Sequence, residues 1–407
     1  MKRNGLYSAL LTVLILAFAS VKCNAQDWTH FRGPNGDCRV SGFKAPASWP
    51  ASLNQVWKVT VGTGDASPVL FDKKLYLNTR QGDNEVVLCL DALTGKEVWK
   101  ESYASDPVTG PAGSHPGPRS TPSVGEGKVV TFGVAGILSC FDAATGKLLW
   151  RRNNPEKAVP DFFAATSPLI MDGNCYIFTG KKDNGAFLCL DLARGNEKWR
   201  WTGEGPAYSS PSVMQIDGRK QIVILSEKSI FALDAATGKL AWKIESLPKQ
   251  RFYNSSSPVI DGQTLYLTGQ GTGTKAVRIV KEGTGYTPKE LWTNSGVGTK
   301  WNTPVLHEGN LYGFSDSRKI FCISSTDGNT AWVDNTVTSD FATLLDCGSI
   351  LMGLPSTGFL IILKPDNKAY TEVAKYRVAE TPVYAFPLVA GNAVYVKDAE
   401  SLTMYTF

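Results

Sequence analysis

Histidine is nearly absent from this chain, with three in 407 residues. The eight cysteines include no adjacent pair and no spacing suited to a metal. Charge is sparse as well, at 19% of residues. Removal of residues 1–25 takes away Lys2, Arg3 and Lys22 but no acid, so 42 basic against 37 acidic residues become 39 against 37. A surface so close to neutral gives no electrostatic case for nucleic acid or for an anionic membrane. The one long apolar run, residues 9–19, is broken only by Thr12 and is too short to span a bilayer comfortably. Long helical periodicity is also missing.

The N-terminus reads instead as an export signal. Lys2 and Arg3 precede the apolar run, and Cys23-Asn24-Ala25 offers a small-x-small cleavage site before Gln26. A lipid anchor on Cys23 is the alternative, and Lys22 in front of it argues against that. The expected product is periplasmic or secreted, with no membrane span in its mature form. Three parts are expected: a signal peptide (1–25), a lead-in segment (26–52) and a repeat domain (53–407).

What is abundant is glycine, proline and tryptophan, in a pattern that repeats. "LDALTGKEVW", "FDAATGKLLW" and "LDAATGKLAW" are near copies of one hairpin. Gly follows the Asp position by four residues at Gly95, Gly146, Gly195, Gly238 and Gly328, and Trp follows by eight at Trp99, Trp150, Trp199, Trp242 and Trp332. Asp and Thr can bond the turn backbone, and Gly supplies the positive φ of a tight turn. Trp292 ends a longer, irregular hairpin, and Tyr376 reads as the substitute in the next copy. A second element, Ser/Thr-Pro leading into a short apolar strand, occurs six times, with two degenerate copies, at a spacing of roughly 40–54 residues.

Cys89, Cys140, Cys189 and Cys322 share one slot, which is Ala232 in another copy. That slot is therefore small and buried, and disulfides between repeats are not expected. The sequence leaves the pairing of Cys38, Cys175 and Cys347 open. Each unit reads as four strands. The last stops before a Trp strand, while "LNQVWKVTVG" supplies one near the start. Trp57 is thus expected to complete the final unit. The prediction is an all-β, eight-bladed β-propeller, monomeric and closed without an open edge.

The pattern Ala-x-Asp-x-x-Thr-Gly-x-x-x-Trp at 232–242 resembles the docking motif of the pyrroloquinoline-quinone (PQQ)-like propeller superfamily. That group includes quinone-dependent alcohol dehydrogenases, outer-membrane assembly scaffolds and exported proteins of unknown role. "DWTHFRGPNGDCRVSG" resembles the opening of the last group. On this resemblance the recurring Trp residues are docking residues rather than cofactor stacks.

In such a ring the loops before each innermost strand encircle one mouth. They carry Asp65, Arg119, Asp161, Phe162 and Phe163 on one side. Tyr208, Arg251, Tyr253 and Asn254 come next, then Lys300, Trp301, Asn302, Asp340, Phe341, Tyr384 and Phe386. Aromatics interleaved with polar groups suit a planar or sugar-like ligand. Arg119, Tyr208, Arg251, Tyr253, Asn254, Lys300, Trp301, Asn302 and Tyr384 are the expected ligand contacts. A long Pro/Gly-rich segment, 101–119, is expected to cover the mouth and carries His115.

The leading expectation is a non-catalytic module binding a small molecule, a saccharide or a periplasmic protein. One alternative is a PQQ-dependent oxidoreductase of alcohols or sugars. There Trp301 would floor the quinone, Asn254 or Asn302 would hold calcium, and Asp340 would act as base. Another is a polysaccharide lyase using His115, Tyr253 and Arg119. A barrel-assembly scaffold is a fourth option, weakened by the poor lipidation signal.

Overall fold

The computed structural model describes residues 26–154, 157–248, 253–336 and 338–407. The expected signal peptide, Cys23 and Arg251 lie outside the described residues. The chain forms eight four-stranded antiparallel sheets. Their first strands are Val69–Phe71, Ser123–Gly125, Leu169–Met171, Ser212–Ile216, Val259–Asp261, Val305–His307, Ala342–Asp346 and Leu388–Ala390, numbered here as blades 1 to 8. First strands of blades 1 and 2, 2 and 3, 4 and 5, and 6 and 7 touch one another around an axis. Asn54–Thr60 pairs with Ser401–Thr406 as the fourth strand of blade 8, with Trp57 opposite Met404. The N-terminal strand thus closes the ring, as the truncated last repeat requires.

The seams explain the hairpin motif. Asp91 Oδ1 accepts from the amides of Leu93 and Thr94 and from the Thr94 hydroxyl, and Asp142 and Thr145 repeat the pattern. This holds the turn so that its next carbonyl faces the preceding blade. Ala143 O there accepts from the Trp99 indole at 3.0 Å and from the Tyr76 hydroxyl at 3.2 Å. Ala235 O receives Trp199 and Tyr176 in the same way, and Ala92 O receives Trp57 and Tyr395. The indole lies against the turn glycine: a Cβ on Gly146 would stand 2.7 Å from Trp99. Gly is needed twice over, for φ near +76° and for the approaching ring.

Opposite six of the docking Trp residues the ladder places a small residue, while Trp57 faces Met404. The small residues are Cys89, Cys140, Cys189, Ala232, Ala276 and Cys322, opposite Trp99, Trp150, Trp199, Trp242, Trp292 and Trp332. All seven described cysteines are buried and unbridged, including Cys38, Cys175 and Cys347.

Three seams depart from the pattern, one of them at the blade 7 turn, where Asp366 O receives the Trp332 indole at 2.7 Å with no glycine beneath it. Blade 5 has the irregular hairpin, so the Trp242 indole bonds Gln221 within its own blade at 2.7 Å. In blade 7 the Trp register is held by Ala374, opposite Ile362. Tyr376, expected in that place, stands two residues further on and donates to Pro50 O at 3.0 Å.

Around the axis, the Ser/Thr before each Pro forms a belt. Phe386 N donates to Ser67 Oγ, Ser67 N to Thr121 Oγ1, Thr121 N to Ser167 Oγ and Ser167 N to Ser210 Oγ. Ser210 N and Ser257 N continue it to Ser257 Oγ and Thr303 Oγ1, at 3.2 and 3.0 Å. Proline has no N–H, so the hydroxyl in front of it joins the inner strands where a ladder bond cannot form. The belt ends at blade 7, where Ala342 has no hydroxyl.

The lead-in segment crosses the other end of the axis. Trp28 exchanges two backbone bonds with Leu70, Val124 N donates to Thr29 O, and Val40 N and Cys38 O bond the backbone of Asp346. Phe31 meets Phe386 at 5.3 Å. Blades 1, 2, 7 and 8 are so tied together, and that end of the channel is covered. Glu101–Ala104, expected to begin the covering loop, instead extends the outer strand of blade 1.

Asp346 latches this plug. Arg39 Nε lies 3.2 Å from its Oδ2, and His307 Nδ1 lies 3.0 Å from its Oδ1. The hydrogen bond to Asp346 raises the His307 pKa against its burial. Burial of Asp346 is outweighed by His307, Gly348 N–H and Arg39, which together lower its pKa.

Two predictions follow from these contacts. Gly127, at φ +71°, has nothing within 4 Å of an added Cβ, so Gly127→Ala should cost only the strain of a left-handed residue, about 1–2 kcal/mol. Gly146→Ala must also displace Trp99 and should cost about 2 kcal/mol more, toward the ~3–5 kcal/mol of losing a buried Trp. Urea unfolding of both variants measures the difference. For the latch, a raised His pKa gives stability that is complete below about 6.5 and fades as pH climbs through the raised value. The lowered Asp pKa gives stability present above about 3.9 that fades as pH falls through the lowered value. Amide protection of residues 28–40 should therefore peak between these limits, and His307→Gln should remove its alkaline decline.

Candidate functional site

The loops leading into the inner strands meet at the end of the axis opposite the plug. Two aromatic arcs form there. The first spans blades 6, 7, 8 and 1. Trp301 stacks on Phe341 with ring centroids 5.6 Å apart and planes at 5°. Phe341 meets Tyr384 edge-on at 5.0 Å, and Tyr384 meets His115 at 4.8 Å. His115 Nδ1 lies 2.7 Å from Asp65 Oδ2. At the other end of the arc, Lys300 Nζ is 3.3 Å from Asp340 and 5.7 Å from the Trp301 ring.

The second arc belongs to blades 3, 4 and 5. Phe162, Tyr208 and Tyr253 touch one another edge-on, with centroids 5.1–6.1 Å apart. Tyr208 Oη accepts from Phe162 N at 3.2 Å, and burial pushes the phenol pKa up to about 12. Tyr253, at the rim, is exposed.

Arg119 stands between the arcs, in the loop leading into blade 2. Its Nη2 donates to His115 O at 2.9 Å and Ala112 O at 3.4 Å, which folds the covering loop back over the mouth. Its Nη1 is buried and has no hydrogen-bond partner among the described residues. Burial lowers the Arg119 pKa, and the nearby Asp65 counters this only in part.

The structure thus brings His115, Asp65, Tyr384 and Arg119 together, and separately Tyr208 and Tyr253. His115 and Tyr253, paired in the lyase reading, belong to different arcs. Asn254 Nδ2 donates to Ser226 O and Ser246 O. Asn302 is buried and bonds the Phe314 backbone through both ends of its amide. Asp340 faces Lys300 and, at 3.8 Å, Arg318. Asn302 and Asp340 are therefore engaged by protein groups, whereas Asn254 Oδ1 accepts from no described residue. No cluster of three His, Cys, Asp or Glu suited to a metal occurs among the described residues.

Two residues at the mouth escaped sequence reading. Arg318 sits in a blade 6 turn with no local signal. Lys397 is buried beneath Asp65, its Nζ donating to Gly64 O, Asp398 O and Ala399 O at 2.9–3.3 Å, and burial pulls its pKa down to about 8. A lysine closing the apolar strand "AVYV" was the available signal.

Comparison with known proteins agrees with this architecture. The family described as PQQ_2, outer membrane protein assembly factor BamB, matches residues 83–334, and the chain belongs to it. BamB of Yersinia pestis is 22% identical over 375 residues, covering 88% of this chain and 89% of that protein. Tetrathionate hydrolase of Acidithiobacillus ferrooxidans is 26% identical over 232 residues, 53% of this chain, and the match spans only 43% of that enzyme's length. The crystal structure of quinohemoprotein alcohol dehydrogenase from Comamonas testosteroni superposes with a TM-score of 0.72 at 15% identity, over 93% of this chain and 80% of that one. At that identity the likeness concerns the fold alone. No helix among the described residues is long and apolar enough to cross a membrane.

Arg119 should govern the covering loop. A lysine side chain is one bond shorter and lacks the planar group that sets Nη2 between the two carbonyls. Arg119→Lys is expected to raise amide exchange of residues 106–117 about tenfold, a loss of ~1.4 kcal/mol locally, while the unfolding midpoint stays unchanged.

Proposed function

We propose that this protein is an exported, non-catalytic binding module that takes its ligand at the mouth between the two aromatic arcs. The observation that carries this reading is the asymmetry of the axis. One end is covered by the lead-in segment, and the other gathers aromatic faces, the Lys300–Asp340 pair and an Arg119 nitrogen without a protein partner. Aromatic faces beside fixed polar groups favour a saccharide or another planar polar molecule. The family's description, an outer-membrane assembly factor, supports a periplasmic protein as the second kind of occupant. Quinone-dependent oxidation has less support, because two of the three side chains considered for its calcium and base, Asn302 and Asp340, are engaged by protein groups.

Thermal-shift titration of the mature chain tests the reading, with neutral and acidic oligosaccharides and with PQQ plus calcium as separate probes. A ligand bound only by the folded state must raise the melting temperature. Trp301→Ala should weaken binding of whichever saccharide binds by tenfold or more, the loss expected for a central aromatic contact of about 1.4 kcal/mol or above. Its melting temperature should stay within a few degrees of the parent. A large stability loss would make Trp301 a packing residue, and a rise with PQQ alone would favour the oxidoreductase.

A further inference from the structure

The "FRGPN" turn of the lead-in segment does more than cover the channel. Arg32 sits there at φ +66°, and Gly33 N closes the turn onto His30 O. A Cβ on Gly33 would stand 2.9 Å from the Trp28 ring, so the turn is packed down on that indole. The Arg32 side chain is 2% exposed and points into the ring. Its Nη1 reaches Pro258 O at 3.4 Å, and its Nε donates to Cys38 Sγ at 3.3 Å. Its Nη2 has no partner, and no carboxylate lies within ion-pair distance, among the described residues. Burial raises the Cys38 pKa, so that thiol stays neutral and supplies no counter-charge.

A guanidinium cannot shed its proton, and an unpaired buried charge is costly. The contact with Pro258 places this charge at the level of the hydroxyl belt, since Ser257 is the preceding residue. The belt is a second, independent sign. Ser67, Thr121, Ser167, Ser210, Ser257 and Thr303 are all buried. Each hydroxyl oxygen accepts a neighbouring amide. None of the six donates its own proton to a described residue. A fixed cation beside a ring of unspent O–H donors is an environment for negative charge.

We propose that the axis at the belt is an anion site, in which Arg32 and the nearest belt hydroxyls hold a small monovalent anion. A halide or a single carboxylate fits the chemistry, because only one guanidinium nitrogen is free. Water would satisfy the hydroxyls but leave the charge uncompensated. The anion would join plug to ring, since Arg32 belongs to the lead-in and the hydroxyls to the blades. This site is distinct from the mouth and does not depend on what binds there.

The test begins with the full mature chain exchanged into a methanesulfonate buffer. Added chloride, bromide or formate should raise its melting temperature along a saturable curve at constant ionic strength. Arg32→Met should increase the half-saturating concentration at least tenfold or abolish saturation, while Arg119→Met, at the mouth, should leave it unchanged. Bromide-soaked crystals of the unaltered protein should show an anomalous peak beside Arg32 Nη2, which decides the matter even if the Arg32 variant does not fold. A stronger response to formate than to halides would identify a carboxylate site. No saturable response, an equal response in Arg32→Met, or bromide confined to the outer surface would overturn the proposal.

Discussion

Each regular seam of this ring depends on one contact: an indole laid on a glycine turn of the next blade, with its N–H given to a carbonyl of that turn. Loss of a buried Trp costs about 3–5 kcal/mol, whereas exposed ion pairs such as Lys220–Asp172 are worth about 1 kcal/mol or less. The wedges therefore set how the blades sit, and the surface pairs do not. The same contact constrains three residue types at once. The turn must be Gly, the residue opposite the Trp is small except at Met404 opposite Trp57, and the Asp must hold the turn so that its carbonyl faces outward. Where blade 5 breaks the turn, the preceding blade loses its Trp-to-turn hydrogen bond and its Trp242 turns to Gln221.

The inner circumference is organised differently. There the first strands converge and prolines remove amide donors, so side-chain hydroxyls link one blade to the next. Six such links run unbroken from blade 8 to blade 6. The remaining seams, on either side of blade 7, are where the lead-in segment docks most firmly, through the backbone and side chain of Asp346. The plug thus reinforces the ring where the belt fails. It also makes the two ends of the axis unequal, which gives the mouth its direction.

At the mouth, side chains from loops far apart in sequence form two arcs rather than one continuous ring. Arg119 bridges the space between them by holding the covering loop with one nitrogen while the other remains unspent. This leaves a surface that is stiff in its aromatic faces and polar at its centre, a suitable ground for recognition and a poor one for proton transfer between His115 and Tyr253.

Strand count, blade number and closure by Trp57 were legible in the sequence, because a repeat that stops before its Trp strand must find one elsewhere. The Gly and Cys/Ala slots were legible as a positive-φ turn and a small buried site, since those needs are local. The second reason for each glycine was not, because the Trp that meets it comes from the preceding repeat. Nor could the Ser/Thr-Pro motif reveal the belt, whose bonds join residues 43–54 positions apart and, at the closure, 319 apart. Ala374 in the Trp register of blade 7, eight residues after Asp366, was passed over for Tyr376 because an alanine carries no aromatic signal. The sequence brought His115, Arg119 and the aromatic residues to one face. Their division into two arcs, and the placing of Arg32 beside Pro258 across 226 residues, were decided by the closure of the ring around its axis.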